Sequence, residues 1–296
     1  MKFGICIPSH RDIMSVDSVK EIAQRAETLG YDSVWVNDHI VIPFDYLDRF
    51  TARYYDPYMV LADAAARTQR IKLGTSVIVL PYRHAIVQAK MLTTLDAFSG
   101  GRVILGVGSG GVEPEFQALG VNFSQRGALT DETLEVMLEL WTQENPSFQG
   151  DHYAFSDIKF SPKPTQKPRI PIWIGGTSRA SLRRTAQFGD VWHPIANDPD
   201  IIEQGMKTLR EDWQRFQRDG EPSVNLRMGC RVYPQAQPES RQIGWGSAEQ
   251  IIRDIQQFQR FEVGHMVLDF AVGVTEDEWN FSFESFSKDI MHQLNT

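Results

Sequence analysis

Asp38 and His39 follow Asn37 after a short apolar segment at residues 33–36 and precede a long aromatic loop. A carboxylate can accept a proton and an imidazole can accept or donate one near neutral pH, so this pair could move a proton during a reaction. A hydrogen-bonded histidine at a strand end is the structural alternative. Because the aromatic loop follows at once, we favour a functional role for this pair.

A second stretch, Gly175-Gly176-Thr177-Ser178, lies between an apolar run and a helical pattern that begins at Arg179. The glycines allow the backbone to approach a ligand, and Thr177 and Ser178 offer hydroxyls. The following helix presents unpaired N–H groups at its first turn. These features suit a phosphate, although a tight turn with Ser178 as a plain helix cap explains the same residues equally well.

A third candidate is the glycine-rich segment GVGSGG at residues 106–111. The spacing of Gly106, Gly108 and Gly111 matches a dinucleotide-binding pattern, but the sequence has no helix directly after it with an acidic residue about twenty positions on. We therefore disfavour a Rossmann site. Glycines at a strand end instead indicate the close approach of a flat ligand or of another backbone.

Strand-like and helical segments alternate along the chain, which predicts a (β/α)₈ barrel formed by one domain over residues 1–296. In such a barrel, chemistry is kept at the C-terminal ends of the strands, where insertions also lie. The polar excursion at residues 145–170 predicts either a cover over the barrel mouth or a decoration of its outside. The predicted strands are residues 3–7, 33–36, 71–80, 102–107, 171–174, 190–193, 225–232 and 266–270. The predicted helices are residues 16–29, 57–68, 84–98, 124–142, 179–188, 198–218, 247–261 and 281–294.

Composition restricts the kind of partner. The chain has 296 residues, 42% of them hydrophobic, and a net charge of −8 that disfavours nucleic acid and anionic membranes. A small molecule is the expected ligand.

Cys6 and Cys230 lack metal-ligand spacing, so we expect buried thiols and no metal site. No long apolar run or signal peptide is evident, which predicts a soluble cytoplasmic protein.

Four segments in the same order resemble the luciferase-like flavin and deazaflavin oxidoreductases, and within them the branch that uses the deazaflavin coenzyme F420. The resemblance covers nearly the whole chain, and no single motif would suffice for it. The segments are SVWVNDH at residues 33–39, LGTSVIVLPYRH at 73–84, LDAFSGGRVILGVGSGGVEPEFQALG at 95–120 and PIWIGGTSRASLRRTAQFGDVW at 171–192.

The resemblance implies roles for individual residues. Asp38 and His39 would face the flavin-type ring and exchange protons with it or with the substrate. Ser76 and Val77 would be joined by a non-prolyl cis peptide bond that supports the ring. The other implied cofactor contacts are Gly108 and Ser109 beside the ring or ribityl chain, Gly175, Gly176, Thr177 and Ser178 at the phosphate, and Arg83 and Arg179 near an anionic tail.

One departure from the family concerns a glutamate that some deazaflavin dehydrogenases carry just after the fourth-strand glycines. This chain has Gly110 and Gly111 there, and its carboxylates come later, at Glu113 and Glu115. We interpret Glu115 as an ordinary residue at the start of a helix. The substrate therefore stays open.

The resemblance implies an F420-dependent oxidoreductase that transfers hydride between a small organic substrate and C5 of the deazaflavin. The alternatives are an FMN-dependent monooxygenase that uses dioxygen and a non-catalytic flavin-binding protein. A phosphosugar barrel enzyme without flavin fits the glycine-rich turn alone. We expect a homodimer.

Overall fold

Eight parallel strands form the centre of the computed structural model, which describes residues 1–10, 12–195, 198–271 and 273–294. The strands are β1 (Lys2–Cys6), β2 (Ser33–Val36), β3 (Lys72–Thr75), β4 (Val103–Gly108), β5 (Ile172–Gly175), β6 (Val191–His193), β7 (Leu226–Gly229) and β8 (His265–Asp269). Hydrogen bonds connect β1 to β2 and β8, and successive pairs run from β2 to β6. Ser223–Val224 pairs with β6 while the residues just after it pair with β8, so this one segment joins the two ends of the sheet. The predicted (β/α)₈ barrel is confirmed.

The helices between the strands begin at the caps that the sequence contains. Ser178 accepts a hydrogen bond from the Ser181 N–H, and Ser247 forms a capping box with Gln250. Ser124, the first residue of the predicted helix 124–142, instead lies in a 3₁₀ turn that Asn122 caps. The helices are α1 (Val16–Thr28), α2 (Pro57–Arg67), α3 (Ala85–Phe98), α4 (Glu113–Ala118), α5 (Arg126–Thr142), α6 (Arg179–Phe188), α7 (Pro199–Arg215), α8 (Ala248–Gln259) and α9 (Glu276–Ser285), which a π-helical segment (Phe286–Met291) extends.

The third strand differs from its prediction as one continuous run. The peptide bond between Ser76 and Val77 is cis, as predicted, and it separates β3 from a second short segment, Ile78–Val79, that pairs with β4. The chain therefore bulges at the mouth of the barrel. A continuous apolar sequence gives no sign of this break, because both parts are equally suited to a buried strand.

The excursion before β5 lies on the outside of the barrel. It contains a short hairpin, Phe148–Gln149 with Ala154–Phe155. Glu132 on α5 accepts hydrogen bonds from the N–H groups of His152 and Tyr153, and Asp96 on α3 accepts them from Thr165 and Gln166. Of the two possibilities that the sequence left, a decoration of the outside is the one observed.

Two further sequence expectations concern burial and membranes. Cys6 and Cys230 are both buried and without a disulfide, as predicted, and burial raises the pKa of the Cys6 thiol to about 12. Within the described ranges, none of the helices has both the length and the apolar character to cross a bilayer.

Candidate active site at the barrel mouth

The C-terminal ends of parallel barrel strands open onto one face, and the predicted site residues follow those ends. Asp38 and His39 come just after β2, the cis bond after β3, Gly108 and Ser109 at the end of β4, and Gly175–Ser178 at and after β5. Strand pairing places β2 to β5 side by side. The structure thus brings every predicted segment to the same mouth.

A carboxylate from the segment that follows β4 holds His39 in place. Its Nδ1 lies 2.7 Å from Oε2 of Glu115, in the first turn of α4. The imidazole packs against the rings of Phe50 and Tyr54, with centroid distances of 4.6 and 4.9 Å, and its side chain stays 16% exposed. The ring is therefore oriented on one edge and open to the mouth on the other.

Glu115 is fully buried and accepts four hydrogen bonds. Besides His39, the donors are the N–H groups of Ile40 and Val41 and the hydroxyl of Tyr82 at 2.7 Å. Burial acts to raise the pKa of Glu115, but the hydrogen bonds from His39, Ile40 and Tyr82 hold it below its usual range. An ionised Glu115 accepts the Nδ1 proton, so a neutral His39 carries its lone pair on Nε2. Glu115 does lie at the start of a helix, as interpreted, but its burial and four hydrogen bonds give it more than an ordinary role there.

Asp38 makes a different set of contacts. Its carboxylate is buried and forms a two-pronged ion pair with Arg83, at 2.8 and 2.9 Å, and it also accepts the Val79 N–H. Burial raises the pKa of Asp38, and the hydrogen bonds from Arg83 and Val79 act in the opposite direction. Arg83 also donates to Asp56 at 3.0 Å. Asp38 therefore fixes Arg83 and the chain beyond the cis bond.

Val77 and two glycines shape the wall of the mouth. A Cβ atom added to Gly108 would lie 2.8 Å from Cγ2 of Val77, and one added to Gly175 would lie 3.0 Å from Cγ1. Any larger residue at these positions would displace Val77. We call the surface formed by Gly108, Gly175 and the Val77 side chain the cradle. Because the glycines have no side chains, Val77 is the side chain that projects from it.

Beneath this cradle lies a buried polar network that the sequence interpretation missed. Arg227 on β7 donates to the carbonyl of Ser76, to Asp269, and to Asn37 Oδ1 at 2.8 Å. Burial acts to raise the pKa of Asp269, but the charge of Arg227 holds it at about 2. His193 accepts from the Ser76 hydroxyl at 2.9 Å. The signal in the sequence was one arginine within an otherwise apolar strand, a residue type that is buried only when paired.

The Gly-Gly-Thr-Ser loop is exposed at the end of β5. Gly176 has a φ of +95°, which a glycine adopts without strain, and its carbonyl accepts from Trp192 Nε1 at 2.7 Å. Ser178 caps α6, and Arg179 forms an ion pair with the buried Asp212 on α7. The Thr177 hydroxyl and the first N–H groups of α6 are thus the donors that this loop presents.

Comparison with known proteins gives several similarities. The sequence profile of a family described as luciferase-like monooxygenase matches residues 1–252. An uncharacterized protein of Mycobacterium tuberculosis is 36% identical over 218 residues, which cover 68% of this chain and 76% of that protein. An FMNH2-dependent dimethylsulfone monooxygenase of Pseudomonas putida is 30% identical over 208 residues, covering 68% of this chain and 54% of that enzyme. An F420-dependent glucose-6-phosphate dehydrogenase of Amycolatopsis mediterranei is 35% identical over 176 residues, covering 57% and 50%.

Solved structures share the fold. The crystal structure of a monooxygenase from Streptomyces bottropensis aligns with a TM-score of 0.85 at 20% identity, over 99% of this chain and 100% of that one. An F420-dependent secondary alcohol dehydrogenase, in complex with an F420-acetone adduct, aligns with a TM-score of 0.81 at 20% identity over 98% of both chains.

Proposed function

Since the chain belongs to the luciferase-like monooxygenase family, we propose that it is an oxidoreductase that uses coenzyme F420 to transfer hydride to or from a small organic substrate. Relatives in this family are F420-dependent or FMN-dependent by name, so a flavin-type cofactor is common to both possibilities. The observation that carries the proposal is the His39–Glu115 pair at the barrel mouth.

His39 is suited to proton transfer. When hydride leaves a carbon that bears a hydroxyl, the hydroxyl proton needs an acceptor, and Nε2 of neutral His39 is one. Glu115 fixes the tautomer and stabilises the imidazolium after it takes up the proton. The surrounding rings of Phe50 and Tyr54 limit water around the imidazole. In this proposal Asp38 positions Arg83 and Val79. Contact of the Asp38 carboxylate with the flavin-type ring stays a prediction.

The cradle fits a flat tricyclic ring, because glycines at 108 and 175 leave the space that side chains would fill. When bound, the deazaflavin supplies a carbon that accepts or donates hydride. Ser76, Val77, Gly108 and Ser109 would hold the ring and ribityl chain. Gly175, Gly176, Thr177 and Ser178 would hold the phosphate at the start of α6. Arg179 would lie towards the tail while its ion pair with Asp212 orients it.

An FMN-dependent monooxygenase is the second candidate, and one observation favours it. A free carboxylate beside the ring would suit the hydroxyl of a deazaflavin, but the Asp38 carboxylate already accepts hydrogen bonds from Arg83 and Val79. A non-catalytic flavin carrier would need the cradle and the loop but not a histidine oriented by a buried glutamate.

Titration with both cofactors tests the proposal. We expect micromolar binding of F420, followed by reversible loss of its visible absorbance when a substrate alcohol is added. Micromolar binding of FMN without measurable binding of F420 would contradict it. Tight binding of either cofactor without turnover over a panel of alcohols and dioxygen-dependent substrates would favour the carrier.

We further propose that the protein is a cytoplasmic homodimer. An apolar groove of about 640 Å³ lies between α2 and α3, and Met59 and Phe98 on these helices are 60% and 84% exposed. A second copy that packs its own α2 and α3 here would bury these side chains. Light scattering tests this: a dimer mass for the wild type and a monomer mass for Phe98→Glu are expected.

A further inference from the structure

A second cavity lies at the opposite face of the barrel, where the strands begin. Its volume is about 510 Å³. We call it the floor cavity and define it by its lining residues, which are Lys2, Asp32, Arg70, Lys72, Ile104, Trp173, Asn225, Gly264 and His265. These residues come from the starts of β1, β2, β3, β7 and β8 and from the walls formed by β4 and β5. The cavity is therefore separate from the mouth that carries His39.

The floor cavity is positively charged, although the whole chain has a net charge of −8. Three of its residues are cations, Lys2, Arg70 and Lys72, and among the residues that the structure describes none of the three forms a salt bridge. Lys72 donates to the carbonyl of Gly101 at 3.1 Å. The one carboxylate of the cavity, Asp32, already accepts a backbone N–H at 2.8 Å. Glu27 outside the cavity accepts the Arg70 N–H at 2.7 Å and offsets part of the Arg70 charge. Cations in excess around a concave site still attract an anion, because the low-dielectric walls focus their field.

A buried histidine, His265, also lines the cavity. His265 is only 5% exposed, and its Nε2 lies 2.7 Å from the Ser33 hydroxyl, which already accepts the Trp35 Nε1 proton at 2.6 Å. The buried hydroxyl proton of Ser33 also needs an acceptor, and Nε2 is the acceptor within reach, so we assign the imidazole proton to Nδ1. Burial lowers the pKa of His265 to about 3, so the ring is neutral. Over the described part of the chain, Nδ1 has no protein partner, while His265 lines the cavity.

We propose that the floor cavity binds a phosphate group, either as inorganic phosphate or as the phosphate of a small metabolite. A phosphate dianion accepts several hydrogen bonds at once, and Lys2, Arg70, Lys72 and His265 line the same cavity as charged and neutral donors. The Ile104 and Trp173 side chains form an apolar wall beside them. The volume leaves room for an organic group next to the phosphate. This site is independent of the proposed hydride transfer.

Calorimetric titration with inorganic phosphate tests the site. The wild type is expected to bind it saturably. Lys72→Gln and the double variant Lys2→Gln/Arg70→Gln are each expected to weaken binding at least tenfold, because each removes charge from the rim. The matched control is Lys207→Gln/Lys288→Gln, which removes two exposed lysines elsewhere and should leave the dissociation constant unchanged. Thr177→Ala, at the barrel mouth, should also leave it unchanged.

Several outcomes would overturn the proposal. Binding that Thr177→Ala abolishes and that the floor variants leave unchanged would belong to the barrel mouth. Equal weakening in the control lysine pair would indicate general attraction by charge. No heat of binding at about 10 mM phosphate would also reject the site. A parallel titration with glycerol 3-phosphate separates the two sources, since tighter binding than inorganic phosphate assigns a phosphate ester and weaker binding assigns the free ion.

Discussion

At the residue scale, the chemistry of the mouth depends on how one imidazole is held. His39 donates from Nδ1 to a carboxylate that itself accepts two backbone N–H groups and a tyrosine hydroxyl. This carboxylate is fixed in its orientation, because rotation would break its hydrogen bonds while it stays buried. The position of Nε2 is therefore defined by the backbone of residues 40 and 41 as well as by Glu115.

Replacement of His39 by alanine is expected to lower kcat by about 10²–10⁴-fold, the usual contribution of a general base. Glu115→Gln should lower kcat less and change the pH profile of kcat/KM, because the amide oxygen of a glutamine can still accept the Nδ1 proton but cannot stabilise the imidazolium. Steady-state kinetics over about pH 5–9 measure both effects. Near-normal kcat with a large loss of melting temperature in His39→Ala would indicate a structural histidine.

Asp38→Ala is expected to act mainly on stability. The change leaves Arg83 without its buried partner and the Val79 N–H without an acceptor, and breaking such a pair typically costs about 3–5 kcal/mol. Urea unfolding measures the loss. Asp45→Ala, in the same loop but outside this network, is the matched control. Unchanged stability in Asp38→Ala, together with a loss of turnover, would instead support direct contact of Asp38 with the cofactor or substrate.

The sequence predicted some of these residues and missed others for a physical reason. Asp38 and His39 stand out because polar residues follow an apolar strand directly. The role of Glu115 depends on the path of the loop that returns α4 to the end of β2, 76 residues away along the chain from His39. Arg227 likewise acts on Asn37 across 190 residues. Local patterns carry no information on such contacts.

At the scale of elements, most strands and helices lie within one or two residues of their predicted bounds, because periodicity and caps are local signals. α4 was not among the predicted helices, although Glu115 was interpreted as a helix-start residue, since six residues are too few to show a helical period. Cys230 lies between two short strands rather than inside one, as Leu226–Gly229 and Arg231–Val232 pair with different partners. The cis bond followed from family resemblance alone.

The loop between β5 and α6 gives a test at this scale. Thr177→Ala removes a hydroxyl that caps nothing, so it should weaken cofactor binding by about 1.5–3 kcal/mol without loss of stability. Ser178→Ala also removes the cap of α6 and should lower the free energy of unfolding by about 1 kcal/mol. Fluorescence titration and urea unfolding separate the two. An unchanged dissociation constant for the cofactor in the double variant Thr177→Ala/Ser178→Ala would place the cofactor phosphate elsewhere.

At the scale of the whole molecule, the first strand pairs with the last, and the segment around β7 joins both ends of the sheet. This arrangement favours the prediction of one domain over the full chain. The barrel interior is not a purely aliphatic core. The rings of Trp35, Trp173, His193 and His265 pack against one another with centroid distances of 4.8 to 6.0 Å.

These two interior histidines make the fold sensitive to acid. Burial lowers the pKa of His193 to about 4 and that of His265 to about 3. The unfolded chain takes up protons on both below its ordinary histidine pKa of about 6.5, whereas the folded chain does not until near pH 4 and pH 3. Stability is therefore complete above about pH 6.5 and is lost as the pH falls from there towards about 4.

We expect the free energy of unfolding at pH 5.0 to be lower than at pH 7.5 by about 2 kcal/mol for each of the two histidines. Urea unfolding at the two pH values measures the difference. His265→Gln should remove about half of it, whatever its effect on stability at pH 7.5, because a glutamine side chain takes up no proton in the unfolded chain. His152→Gln, on the exposed hairpin outside the barrel, is the matched control and should leave the difference unchanged. Equal stability of the wild type at both pH values would contradict this explanation, because the two buried neutral histidines would then add nothing to the response to acid.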